Sequence, residues 1–396
     1  VADGVGDVCL CTKRLRNAKP LRFLSSLISS LKYHLSLAFA PASFIFTECV
    51  IFVALLNFAE KLMQHKKLEK LFSSFEKQRI AVIGDVMLDR YIFGDVSRIS
   101  PEAPVPVIDV SEYGVRLGGA ANVAMNIHSV GGDALLFGVI GKDDDGAKLI
   151  SEMTAQRFSP DFLVTDSMRP TTSKTRVIAQ NHHIVRIDSE TRKPISAETE
   201  RHLFDRLRHH ITELDAIIFE DYNKGVLTKS LIKRVIALAR KHDVPVTVDP
   251  KRDNFFEYQH CTVFKPNLKE ISDAFGQKFS NTDEDVTRAC ELLHKKIKSK
   301  YVVLTRSERG ATVYNGKAHH IPSVALEVAD VSGAGDTVIA ILTMGLAAGL
   351  DILDAAQIAN FAAGIVCGEV GAVAVDKQRL FEFCVEHDSL AARRKS

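Results

Sequence analysis

The sequence predicts an α/β fold on a largely parallel central sheet, and three observations carry that prediction. Short strands, apolar on both faces, recur from Arg79 onward. Amphipathic helical stretches separate them. Two extended segments break the alternation and read as a small β unit of their own. Strands alternating with helices form parallel sheets, and strands apolar on both faces are covered by helices on each side.

Ile80–Ile83 ends in Gly84-Asp85, and Ala134–Ile140 follows. Ala216–Phe219, Val244–Val248 and Tyr301–Leu304 are three more. Helical patterns occupy 196–213, 228–242, 282–297 and a long region at 333–370. The first exception, Tyr91 to Tyr113, holds Pro101, Pro104 and Pro106 between extended pieces. The second, Thr171 to Asp188, alternates like an exposed hairpin. Together, from about 91–118 and 171–188, they predict a small β lid over the strand ends, where open α/β sheets bind ligands. No internal repeat or low-complexity linker divides the chain after residue 62, so 63–396 reads as one domain with a lid.

Residues 1–62 read differently. A basic stretch (Lys13, Arg14, Arg16, Lys19, Arg22) precedes an apolar run from Leu35 to Phe58. That run is about 24 residues, roughly 36 Å as a helix, long enough to span a bilayer. Basic residues flank both ends, so charge gives no orientation. The first methionine is Met63, and Leu68, Leu71, Phe72 and Phe75 follow at helical spacing. The expectation is that the working protein begins near Met63 and is cytoplasmic. The alternative is a membrane-associated protein with a genuine N-terminal segment.

Composition excludes several classes. The 396 residues carry a net charge of +2 and no Trp, which argues against nucleic-acid partners. The seven cysteines are irregularly spaced, and no His cluster completes a zinc site, which fits a reducing compartment.

Asp330-Val-Ser-Gly333-Ala334-Gly335-Asp336 stands immediately before an apolar helical run. Small residues there let backbone N–H groups converge on an anion at the helix N-terminus. Asp336 is placed to take the proton from an attacking hydroxyl. The plain alternative is a glycine-rich helix cap. The segment lacks a P-loop lysine and is not G-x-G-x-x-G.

Here the chain resembles the ribokinase-like (PfkB-type) carbohydrate kinases, over about 79–385. Asp330 to Asp336 resembles their Asp-x-x-Gly-Ala-Gly-Asp signature, which implies Asp336 as base and the amides around Gly333, Ala334 and Gly335 as anion binders. Gly118-Gly119-x-x-Asn122 resembles their sugar-binding segment. Glycines there permit close approach of a ligand, and Asn122 offers a donor and an acceptor for hydroxyls. Asn267-Leu-Lys-Glu270 resembles the Asn-x-x-Glu motif linked to Mg2+ and phosphate, with Glu270 holding the metal through water; the same residues spell a helix cap. Thr305 to Gly310 resembles the nucleotide turn, with Ser307 where Gly is frequent, and Asp330 joins these nucleotide contacts by the same resemblance. The implied fold is a three-layer α/β/α sandwich with a mostly parallel central sheet and a β lid. The implied substrates are ATP with Mg2+ and a sugar, and the implied assembly is a homodimer through the lid.

Further segments resemble the branch of that family acting on D-glycero-β-D-manno-heptose 7-phosphate at the anomeric oxygen, a step toward ADP-heptose for lipopolysaccharide core. They run from Gly84-Asp85 through Asp89 to Pro106, and include Lys174-Thr-Arg176, Arg186 to Asp188, Asp221 to Gly225 and Asp249-Pro-Lys251. The resemblance implies substrate contacts from Asp85, Asp89, Lys174, Arg176 and Lys224, with Arg98 and Arg186 as further cations for the existing phosphate. The plain reading of lid arginines is solvated edge charge. With about ten residues after the last motif, the chain reads as a stand-alone kinase served by a separate adenylyltransferase. The alternatives are a kinase for ribose, fructose, a sugar acid or a nucleoside, or a non-catalytic sugar-binding protein on the same fold.

Overall fold

The computed structural model describes residues 62–387 except Asn181, 325–327 and Val370. The apolar run at 35–58 and the basic cluster before it lie outside the described residues. Gln64–Ser396 forms one compact unit. No helix among the described residues is long and apolar enough to cross a membrane. Residues 64–75 are helical, and Leu68, Leu71, Phe72 and Phe75 are buried in the core, as their spacing requires.

Nine strands form the central sheet, in the order β13-β12-β11-β10-β9-β8-β1-β4-β5. These are β1 (Arg79–Gly84), β4 (Asp133–Gly141), β5 (Leu163–Asp166), β8 (Ala216–Glu220), β9 (Val246–Asp249), β10 (Val263–Phe264), β11 (Tyr301–Thr305), β12 (Ala311–Tyr314) and β13 (Ala318–Ile321). All neighbours run parallel from β5 to β11; β12 and β13 add an antiparallel edge. Alternate residues of β1 feed two separate cores. Ile80 and Val82 pack with helices Ala334–Ala347 and Ile352–Val366, whereas Ala81 and Ile83 pack with helices Ala197–His210 and Lys229–Lys241. Two cores on opposite faces of one sheet make the three layers.

The lid is a four-stranded sheet in the order β3-β2-β6-β7. Its strands are β2 (Val86–Ile99), β3 (Pro106–Gly119), β6 (Ser173–Ala179) and β7 (His182–Ser189). The proline-rich stretch read as broken pieces is one long hairpin. Pro101 and Pro104 lie between its strands and Pro106 starts β3, the positions where a missing N–H costs little. The long helical region at 333–370 is two helices, Ala334–Ala347 and Ile352–Val366, separated at Gly349 (φ +86°).

Register positions the site. Gly84, Glu220 and Asp249 stand side by side at the ends of β1, β8 and β9. Gly84 has no room for a side chain: a Cβ would meet the Glu220 carbonyl oxygen at 2.0 Å. In the lid, Asp89 pairs with Arg116 on one side and Lys174 on the other, and Tyr91 with Arg176.

Candidate active site

Asp336 lies in the first turn of helix Ala334–Ala347 and is 5 % exposed. Its N-cap, Gly333, has φ +78°, and a Cβ there would stand 2.9 Å from Asn122 Nδ2, so backbone and space both demand glycine. Asn122 Nδ2 donates to Asp336 Oδ2 at 2.7 Å, and Tyr222 Oη donates to Oδ1 at 2.8 Å. Burial, with the charge of Asp249, pushes Asp336 up to about 6, against these two donors and Lys265. The carboxyl thus titrates near neutrality, where a general base works best.

Asn122 is aimed by the start of its own helix, Ala120–Ser129. Gly119 caps that helix at φ 58°, and a Cβ on Gly118 would stand 2.5 Å from Asp89 Oδ2. One turn later Asn126 Oδ1 accepts from Thr337 Oγ1 at 3.0 Å and from the Val375 N–H at 3.1 Å. These bonds lock the Asn122 helix against the Asp336 helix. The structure therefore brings the glycine pair, Asn122 and the Gly333–Asp336 loop to one point, although over two hundred residues separate them in sequence.

A cleft of about 1030 Å3 opens from that point. Asn267, Glu270, Thr305, Ser307, Gly310 and the Gly333–Asp336 turn line it. Asn267 and Glu270 form a full capping box: Asn267 Oδ1 accepts the Glu270 N–H at 2.9 Å, and Glu270 Oε2 accepts the Asn267 N–H at 2.9 Å. Lys251 Nζ donates to Glu270 Oε1 at 2.6 Å. Cap and cleft wall are thus one feature. Ser307 has φ +51°, which explains why glycine suits that position, and a Cβ on Gly310 would meet the Ile321 carbonyl oxygen at 2.2 Å. Of the loop amides, that of Ala334 already donates to the Val331 carbonyl at 3.3 Å. Asp330 holds the loop: it accepts N–H bonds from Ser332 and Gly371, each at 2.9 Å. It is not among the residues lining the cleft. Partial burial would raise Asp330, but those amides hold it below the usual carboxylate range.

Other expected residues have partners of their own. Asp85 is buried and accepts N–H bonds from Tyr222 (2.8 Å), Lys224 (3.0 Å) and Val226 (3.1 Å). Its carboxylate shapes the loop that delivers Tyr222. Asp89 Oδ1 accepts from Arg176 Nη1 at 2.6 Å, so two expected substrate contacts pair with each other. Lys174 and Lys224 share Glu190, and Arg169 reaches the Lys224 carbonyl. Arg186 pairs with Asp188 at 2.9 Å.

Tyr222, Glu220, Asp249, Lys265, Arg169 and Glu190 gained no role from sequence. Lys265 Nζ donates to Asp249 Oδ2 at 2.7 Å. Burial lowers Lys265 but the charge of Asp249 outweighs it, so it stays protonated. Glu220 is fully buried beside Asp249 and Asp336, and burial followed by those charges pushes it well above the usual range. The signal available was position, since β8 and β9 end at the sheet edge where α/β folds bind ligands.

Comparison with known proteins sharpens this picture. Residues 77–378 match the pfkB family carbohydrate kinase description. The chain is 43 % identical over 311 residues to the "Bifunctional protein HldE" of Geobacter sulfurreducens, and 41 % identical over 311 residues to that of Pelobacter propionicus. Each match covers 78 % of this chain, and 63 % and 64 % of the respective relative, so the chain spans under two thirds of those proteins. Among solved structures, Arabidopsis thaliana ribokinase complexed with ribose and ATP aligns with a TM-score of 0.62 at 18 % identity, covering 77 % of this chain and 98 % of that one. A putative phosphofructokinase from Staphylococcus aureus aligns at 0.63 and 16 %, covering 77 % and 95 %. These structural likenesses establish the fold.

Proposed function

Since the chain belongs to the pfkB family of carbohydrate kinases, we propose that it transfers the γ-phosphoryl of ATP to the anomeric oxygen of D-glycero-β-D-manno-heptose 7-phosphate. The product is the 1,7-bisphosphate, on the route to ADP-heptose. The observation that carries the reading is the buried Asp336 carboxylate at a helix N-terminus, facing Asn122 at the end of a 1030 Å3 cleft. The choice of sugar is supported by the heptose-kinase-like segments Asp85–Pro106 and Lys174–Asp188, and by 43 % identity to a bifunctional HldE protein.

ATP lies along the Asn267–Glu270 and Thr305–Gly310 walls with its phosphates toward Gly333–Gly335. The sugar lies under the lid against Gly118, Gly119 and Asn122. As the hydroxyl arrives, Asn122 exchanges part of its bond to Asp336 for one to substrate, and Asp336 takes the proton. Loop amides and the helix dipole offset charge on the transferring group. Positioning supplies most of the acceleration. The family uses ATP with a divalent metal. The residues suit Mg2+: Glu270, whose oxygens already accept from Lys251 and the Asn267 amide, would hold the ion through water, and the ion would supply positive charge to neutralise the phosphates.

The terminal phosphate of the sugar meets Arg176, Lys174 and Lys224, now neutralised by Asp89 and Glu190. Substrate therefore competes with internal carboxylates, which rewards a dianionic phosphate over a neutral sugar end. Exposed apolar side chains on the lid, Ile99, Tyr113 and Ile187 among them, support a homodimer through that sheet, checked by light scattering. We place the enzyme in the cytoplasm, where ATP is. A coupled ADP-release assay across heptose 7-phosphate, free heptose, ribose, fructose, a sugar acid and a nucleoside tests the assignment. Equal rates on free and phosphorylated sugars would reduce it to a sugar kinase of unassigned substrate.

A further inference from the structure

Two cations expected at the sugar's existing phosphate already hold an anion of the protein's own. Glu190 follows β7 directly, in the segment that runs from the lid to helix Ala197–His210. Its Oε2 takes Lys224 Nζ at 2.5 Å and Lys174 Nζ at 3.4 Å. The side chains of Glu190, Lys224 and Lys174 are 18 %, 9 % and 16 % exposed, so the cluster is largely withdrawn from water. They come from three elements: Lys174 from lid strand β6, Lys224 from the loop after β8, and Glu190 from the connecting segment.

Each backbone is pinned. Lys174 lies in the lid sheet opposite Asp89 on β2 and Asp188 on β7. Asp188, 3.6 Å from Lys174, is engaged by Arg186. The Lys224 N–H donates to Asp85 at 3.0 Å, and its carbonyl accepts from Arg169. The segment carrying Glu190 is drawn onto the Lys224 loop. The Ile195 N–H donates to the Gly225 carbonyl at 3.0 Å, and a Cβ on Gly225 would meet the Lys193 carbonyl oxygen at 2.1 Å. Two ammonium groups fixed on separate elements and aimed at one oxygen make an anion site, of the kind a phosphate oxygen fills. Partial burial would raise Glu190, but the bond from Lys224 and the charge of Lys174 hold it below the usual carboxylate range, so it occupies that site as an anion. Its other oxygen, Oε1, faces Arg192 at 3.9 Å, and Arg192 is 73 % exposed. A rotation of the Glu190 side chain toward solvent therefore exchanges the two lysines for Arg192.

We propose that Glu190 is a specificity-determining residue: an internal stand-in anion that closes the Lys174–Lys224 pair to free phosphate and yields it to a phosphate carried on a sugar. This rests on the reading of the substrate as a sugar phosphate given above. Competition sets the selection. Free phosphate must displace Glu190 through its bonds to the two lysines alone, a near-even exchange of one anion for another. A sugar phosphate also brings hydroxyls for Asn122, and those contacts tip the exchange. A sugar without phosphate leaves Glu190 in place and gains nothing from the lysines. Lys224 stands two residues after Tyr222, whose hydroxyl donates to Asp336, so the exchange takes place one short loop away from the base.

The test needs neither sugar nor ATP. Inorganic phosphate is titrated into full-length, nucleotide-free protein and followed by isothermal titration calorimetry. Glu190→Gln, which keeps the shape and removes the charge, should bind phosphate at least about tenfold more tightly than wild type, the effect of one charge-assisted bond. Adding Lys224→Ala should erase that gain, which places the anion on the lysine pair and not at the Gly333–Gly335 loop. Unchanged phosphate affinity in a folded Glu190→Gln overturns the proposal, since Glu190 is then a structural ion pair and nothing more. A gain that survives Lys224→Ala also overturns it, because the anion then sits elsewhere. Should Glu190→Gln fail to fold, Glu190→Asp withdraws the carboxylate by one methylene and keeps its charge. It should gain at least about threefold, and no gain there is equally contrary. Equal rates on free and phosphorylated sugars would instead overturn the substrate reading, a failure that the phosphate titration does not share.

Discussion

Replacing Asp336 by Asn separates its chemical role from its electrostatic cost. The wild-type carboxylate accepts from Asn122 Nδ2 and Tyr222 Oη. Asparagine preserves both contacts, with Oδ1 toward Asn122 and Nδ2 donating to the Tyr222 hydroxyl oxygen. Packing is kept and the base is lost, so kcat should fall about 10²–10⁴-fold, the range for removing a general base. Stability should move the other way. Burial first, then Asp249, raises Asp336 from 3.8 to about 6. A raised folded-state pKa means this group's contribution is fully present below 3.8 and is lost as pH climbs through about 6. Two units correspond to a ceiling of about 3 kcal/mol. Asn does not titrate, so in chelating buffer Asp336→Asn should match wild type near about pH 4 and exceed it by up to about 3 kcal/mol at pH 7–8. Urea denaturation at both pH values, paired with ADP release, reads both effects. Turnover within a few-fold of wild type would remove Asp336 from the chemistry. A stability difference that does not change with pH would refute the buried-charge argument.

Four further outcomes are expected. Arg176→Ala deletes the guanidinium bonded to Asp89 and should lower kcat/KM for the phosphorylated sugar about ten- to a hundredfold, one charge-assisted bond's worth, while sparing unphosphorylated sugars; parallel kinetics on both substrates check it. Gly333→Ala forces a side chain into φ +78° and against Asn122, and should cost about 1–3 kcal/mol by thermal denaturation along with most activity. A chain beginning at Met63 should retain turnover and stability, whereas Phe75→Ala within it should cost about 3–5 kcal/mol, because Phe75 is fully buried in the core.

Much of this architecture is legible in the sequence because period and punctuation are local properties. Ile80–Ile83, Ala216–Phe219 and Tyr301–Leu304 declare themselves as two-sided apolar runs, and each is a strand of the central sheet. The antiparallel edge hairpin of β12 and β13 escapes, since Ala318–Ile321 holds two histidines and reads as loop. The strand β10 is two residues long, too short for any period to register. In the site, glycine-rich segments are visible because strained backbone restricts residue type. Tyr222, Glu220 and Lys265 are not, because their significance arises only when β8, β9 and helix Ala334–Ala347 converge. The cations expected at the sugar phosphate show the opposite failure: Lys174 and Lys224 stand out as positive charges, but Glu190, which holds both, looks like any surface acid.

The central claim is phosphoryl transfer to a pre-phosphorylated sugar with Asp336 as base. It is tested most directly by mass spectrometry and 31P NMR of the product formed from ATP and D-glycero-β-D-manno-heptose 7-phosphate. One added phosphate is expected, on the anomeric oxygen, at a kcat/KM at least about a hundredfold above that for free heptose if two charge-assisted bonds hold the existing phosphate. Asp336→Asn should give almost no product. Phosphorylation at another oxygen, equal use of the unphosphorylated sugar, or a productive Asp336→Asn would contradict it.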